Sequence, residues 1–167
     1  DNSSGYTQFK NNETHSIWKM SWGSSEHAYK NETEDEKCGT PDYYFIGTWG
    51  NDNGMFESLD SVINPQTGQA ANLYVDTRGG DNRVETGDGC DVIHTGRASA
   101  TGLPVRIYSK GGDDSVFGSM AKDRIYLGDG NDRGFGSGGV DLIVGGWGND
   151  YLDGGANTDL LIGGTDA

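Results

Sequence analysis

The chain has 167 residues, enough for one domain or two small ones, and only 32% of it is hydrophobic, against roughly 45–50% in ordinary globular domains. Its 26 acidic and 12 basic residues give a formal charge of −14, a balance that argues against nucleic acid and against anionic membrane surfaces as partners. Such a chain does not fold on apolar burial alone, so its acids are either solvated or gathered around cations.

Taken from the start, Asp1 opens the chain without a signal-peptide pattern, which fits a mature or trimmed protein. No stretch approaches the roughly 20 apolar residues of a membrane span, so no membrane insertion is expected. Residues 1–70 read as an irregular, β-leaning cap or small domain. Three of the four tryptophans (Trp18, Trp22, Trp49) fall here, with Tyr6, Phe9, Tyr29 and Phe56. These aromatics are either a core for a region short of aliphatics or a surface that stacks on sugar rings. Tyr43-Tyr44-Phe45-Ile46 predicts a strand, and the acidic run 31–37 a solvated loop. Asn2, Asn12 and Asn31 begin N-glycosylation sequons, which points to an exported glycoprotein. Cys38 and Cys90 are either two free thiols or a disulfide, and a secreted chain favours the disulfide.

The second region is taken as residues 71–167, and from Thr77 the chain is periodic. Blocks of nine run from Ser109: SKGGDDSVF, GSMAKDRIY, LGDGNDRGF, GSGGVDLIV, GGWGNDYLD and GGANTDLLI. TRGGDNRVE and TGDGCDVIH hold the same phase upstream, and the fourteen residues 95–108 read as one block with a five-residue insertion. Position six is Asn82, Asp91, Asp114, Asp123, Asp132, Asp141, Asp150 and Asp159. Position eight is apolar throughout except at Gly134, where a thin spot in the core is expected.

Each block has a glycine-bearing turn half and a strand half whose middle residue is apolar and whose neighbours are mostly polar. Two blocks make a coil of eighteen residues, so same-side turns stack about 4.8 Å apart. Stacking sets aspartate above aspartate, a repulsion of about 3–4 kcal/mol per step at an effective dielectric of 20. Calcium relieves it, because it accepts 6–8 carboxylate and carbonyl oxygens in flexible geometry. Magnesium fits less well, being strictly octahedral. His15, His27 and His94 are scattered and no Cys-x-x-Cys occurs, which argues against zinc.

The blocks Gly128–Asp132 and Gly145–Asp150 resemble the RTX (repeats-in-toxin) nonapeptide G-G-x-G-x-D-x-U-x, and the resemblance covers residues 77–167. It implies an all-β, right-handed parallel β-roll whose turns hold several Ca2+ ions through the position-six aspartates and loop carbonyls, and it implies export with folding on extracellular calcium. The metal positions are then Asp91, Asp114, Asp132 and Asp150 with Gly89, Gly112, Gly128, Gly130, Gly146 and Gly148 on one face. On the other they are Asp123, Asp141 and Asp159 with Gly139. Ala121 and Asn157 replace glycine on that second face, so its row of ions is expected to be partial.

No catalytic constellation appears. His-Glu-x-x-His and Gly-x-Ser-x-Gly elbows are missing, and the glycines of Gly134–Gly138 are accounted for by the repeat turn. The expected function is a secreted calcium-binding structural or adhesive protein with self-association or a surface glycan as partner. The last residues, 163–167, stop mid-repeat and are expected to leave an open β edge that invites a filament. The alternative is the C-terminal calcium module of a larger secreted enzyme or toxin.

Overall fold

The computed structural model describes residues 6–10, 16–20, 38–47, 56, 59–96 and 104–165. The three sequons, the acidic run 31–37, Trp22 and Trp49 lie outside the described residues, as do the side chains of 6–10 and 16–20, Trp18 among them. Strands β1 (Tyr6–Lys10) and β2 (Ser16–Met20) pair antiparallel with each other. All later ladders between strands are parallel and fall into two sheets.

One sheet holds β3 (Tyr43–Ile46), β4 (Leu73–Asp76), β6 (Val92–His94), β8 (Ser115–Phe117), β10 (Arg133–Phe135) and β12 (Tyr151–Asp153). The other holds β5 (Arg83–Glu85), β7 (Val105–Tyr108), β9 (Asp123–Asp129), β11 (Leu142–Trp147) and β13 (Leu160–Thr165). The chain alternates between the sheets from β4 onward, as a parallel β-roll requires. Ile125, Ile143 and Leu161 sit in register across β9, β11 and β13, one coil of eighteen residues apart. Across the insertion the partners are Val84 with Ile107 and Ile93 with Val116, and the step there is 23 residues.

The position-eight side chains meet between the sheets. Val84, Ile93, Ile107, Val116, Ile125 and Ile143 are fully buried in one apolar cluster. Strand β3 reaches the roll from within residues 1–70 and pairs with β4, while Phe45, Phe56 and Leu59 join the same cluster. Their end of the core is closed further by a 3-10 turn, Leu59–Ser61, and by the carbonyl of Phe56, which accepts the Glu85 N–H at 2.9 Å. Cys38 and Cys90 form a disulfide that ties the segment before β3 to a turn of the roll. A crosslink over a separation of 52 residues removes chain entropy worth about 4 kcal/mol.

Gly134 does not leave the thin spot expected for it. A β-carbon there would approach Leu127 and Ile143 methyls at 3.0 Å and Leu152 at 3.6 Å. Leu127, at a position where the other blocks have Thr, Ser or Gly, fills the space across the coil. Gly134→Val is therefore expected to lose about 1–3 kcal/mol through overpacking, measured by thermal unfolding in saturating calcium. A more stable variant would mean that the core is underfilled at this point.

The outward faces also differ from simple polar alternation. Rings of Tyr44, Tyr74, His94, Phe117, Phe135 and Tyr151 follow one another along the six-stranded sheet with centroids 4.5–5.6 Å apart. Val92 and Ser115 on the same face are buried. Each outward ring is thus backed by one on the next coil, which adds about 0.5–1.5 kcal/mol per pair beyond area burial.

Candidate metal centre

The position-six residues stand at the start of each strand, where the chain leaves a turn. Asp91, Asp114, Asp132 and Asp150 precede β6, β8, β10 and β12, and so form one column on the side leading into the six-stranded sheet. Asp123, Asp141 and Asp159 form the second column on the opposite side. The division into two faces is thus the division between the two sheets.

Within a column one carboxylate oxygen is used by the backbone. Asp114 Oδ1 accepts the Asp91 N–H at 2.8 Å, Asp132 Oδ1 the Asp114 N–H at 2.8 Å, and Asp150 Oδ1 the Asp132 N–H at 3.0 Å. The second column repeats this, Asp141 accepting from Asp123 at 2.8 Å and Asp159 from Asp141 at 3.0 Å. The other oxygen is left over. Oδ2 of Asp141 and Asp150 is buried with no protein hydrogen-bond donor, whereas Asp91 and Asp114 have the Thr86 and Ser109 hydroxyls beside them. An unsatisfied carboxylate oxygen in that setting is costly, and a divalent cation is the partner that suits it.

At Asp141 and Asp150 the spare oxygen points into a space that only glycine leaves open. A β-carbon on Gly136 would strike Asp141 Oδ2 and come within 2.6 Å of the Gly154 carbonyl, and one on Gly145 would strike Asp150 Oδ2 and the Gly163 carbonyl. Carboxylate and carbonyl oxygens from successive coils therefore converge beside Gly136 and Gly145. Gly136, Gly145 and Gly154 were not among the sequence-derived positions, although their recurrence at the head of successive blocks was the signal for them. The turn glycines that were among them stack in columns of their own. Gly89, Gly112, Gly130 and Gly148 follow one another, the carbonyl of each against the α-carbon of the next. Gly128 and Gly146 form a similar column, and Gly139 stands against the Ala121 carbonyl. At Gly148 both constraints meet: φ is +121°, and a side chain would collide with the Gly130 carbonyl.

Two columns begin without a carboxylate. Leu73 occupies the aspartate position one coil before Asp91 and gives its N–H to Asp91 Oδ1 at 2.9 Å. In the second column Asn82 and then Val105 precede Asp123, and all three apolar or neutral side chains are buried. At Asp123 itself the turn is different again, because the Ser119 N–H and hydroxyl occupy its oxygens at 2.6–3.2 Å.

Burial is the main cause of unusual acidity here. It pushes Asp114 up to about 9, helped by the charges of Asp91 and Asp132. It pushes Asp91 and Asp141 to about 7, and Asp123 to about 6 against the opposing hydrogen bonds of Ser119. Carboxyls so placed take up protons near neutrality unless a cation holds them ionised. Among the described residues no three His, Cys, Asp or Glu side chains converge, and the donors present at the turns are carboxylate and backbone carbonyl oxygens. That oxygen-only donor set suits calcium better than zinc, whose structural sites are built mainly from Cys sulfur and His nitrogen.

A family model described as the RTX calcium-binding nonapeptide repeat (4 copies) matches residues 75–98, 106–134 and 135–167. Neither the curated proteins nor the solved structures contain a match to the chain.

Proposed function

Because the chain belongs to the RTX calcium-binding nonapeptide-repeat family, whose repeats bind Ca2+ as structural rather than catalytic modules, we propose that it is a secreted structural or adhesive protein whose roll closes on extracellular calcium. The buried Oδ2 atoms of Asp141 and Asp150, which no protein donor reaches, carry this reading. In it, ions lie between stacked turns of the first column, held by Asp91, Asp114, Asp132 and Asp150 with carbonyls of the glycine columns. The second column takes fewer ions, at Asp141 and Asp159, because Ser119 already serves Asp123.

The partner is a second copy or an extracellular surface rather than a nucleic acid or a lipid bilayer. The charge of −14 supports this, and no helix among the described residues is long and apolar enough to cross a membrane. In the filament or surface-layer form of this reading, a second copy pairs along the edge of strand β13. The same edge suits the second reading, a calcium module packed against another part of a larger secreted enzyme or toxin. Sedimentation of the chain in millimolar calcium and in chelator separates them. Calcium-dependent polymers support the filament, whereas a monomer in both buffers removes it.

A further inference from the structure

We propose that the coils from β3 to β7 form a calcium-independent nucleus, and that only the coils after Asp114 wait for calcium. The inference rests on the calcium reading above and adds a polarity to it. Three observations carry it, all from side chains of this chain.

The first is what stands in the aspartate columns. Leu73, Asn82 and Val105 occupy the early positions, buried and uncharged, so stacking these turns brings no carboxylates face to face. Asp91 is the exception, and its only carboxylate neighbour in the column is Asp114, which belongs to the later part. The second is the core. The buried apolar cluster gathers Phe45, Phe56, Leu59, Ala71, Leu73 and Val75 around the position-eight side chains of the early coils, whereas beyond Ile125 its buried members are Leu127 and Ile143 and Gly134 contributes no side chain. Apolar burial thus stabilises the early coils and fades in the late ones. The third is crosslinking that needs no metal. The Cys38–Cys90 disulfide lies in the early part. So does Lys110, whose ammonium contacts Asp60 at 3.0 Å and Glu85 at 3.2 Å, joining the 3-10 turn to β5 and to the first residues after β7.

The consequence is directional folding. A formed nucleus presents the edges of β6 and β7, and each later strand adds to an existing ladder while calcium neutralises the carboxylate it brings. Coils of a solenoid contact only their neighbours, so such partial structure is permitted.

Amide hydrogen exchange on the oxidised full chain, in calcium and in chelator, tests this. The Thr77 N–H, bonded to the His94 carbonyl, and the Arg106 N–H, bonded to the Asn82 carbonyl, report the nucleus. The Tyr151 N–H, bonded to Asp132, and the Leu160 N–H, bonded to Asp141, report the late coils. In chelator the first pair is expected to exchange about 100-fold more slowly than the second, and in calcium all four are protected. Loss of protection at Thr77 and Arg106 together with the late pair overturns the nucleus while leaving the calcium reading intact. Protection of Tyr151 and Leu160 that survives chelation overturns the calcium reading, and the division with it.

Discussion

Asp132→Ala is expected to raise the calcium concentration at the folding midpoint severalfold, since a loss of about 1.4 kcal/mol shifts it tenfold for one ion and by a smaller factor when several ions bind together. Asp132 stands in the middle of the first column, between Asp114 and Asp150. Its Oδ1 accepts the buried Asp114 N–H at 2.8 Å, and truncation strands that donor at a cost of about 1–3 kcal/mol. The same change removes a charge that an ion between the turns would need on two sides. Asp132→Asn separates the two effects, because it keeps an acceptor for the amide and loses only the charge. In a circular-dichroism titration the asparagine variant is expected between the parent and the alanine variant. If both titrate like the parent, the column holds no ion.

Acid should act in opposite directions with and without calcium. In the metal-free roll Asp114 lies at about 9 and Asp91 and Asp141 at about 7, all above the ordinary 3.8 of an unfolded aspartate. A carboxyl held higher in the folded state contributes stability that is complete below its unfolded value and is lost as pH rises through its folded value. The chelated chain should therefore gain β structure as pH is lowered from about 9 towards 4. Calcium needs the same oxygens deprotonated, so its folding midpoint should climb as pH falls from about 8 to 5. Both curves come from one set of circular-dichroism titrations. A calcium midpoint that stays flat across that range would mean the buried carboxylates are not the ligands.

The repeat and its chemistry were readable because each coil reuses the same few residue types at the same spacing. The aspartates of both columns, the five-residue insertion and the alternation between two faces follow from the period alone. Strand β3 was readable as a strand, from Tyr43–Ile46, yet its place in the roll was not, because thirty residues rather than eighteen separate Phe45 from Val75. Leu73 and Val105 were hidden in the columns for a related reason. One precedes the first recognisable block, and the other follows the insertion within the lengthened block 95–108, which obscures its position six. The compensation between Gly134 and Leu127 crosses from one sheet to the other, which no one-dimensional period displays. The ring column of the six-stranded sheet was missed because a half-buried outer face was expected to be polar.

The 23-residue step bears on a hazard that every tandem array shares. Coils with the same ligands at the same interval are interchangeable, so a chain can dock one unit out of place and still satisfy its ions. The longer step between β6 and β8, and between β5 and β7, destroys that degeneracy, since a slipped alignment cannot carry through it with both sheets paired. The irregular coil works as a landmark: whatever is laid down after it has a single starting line.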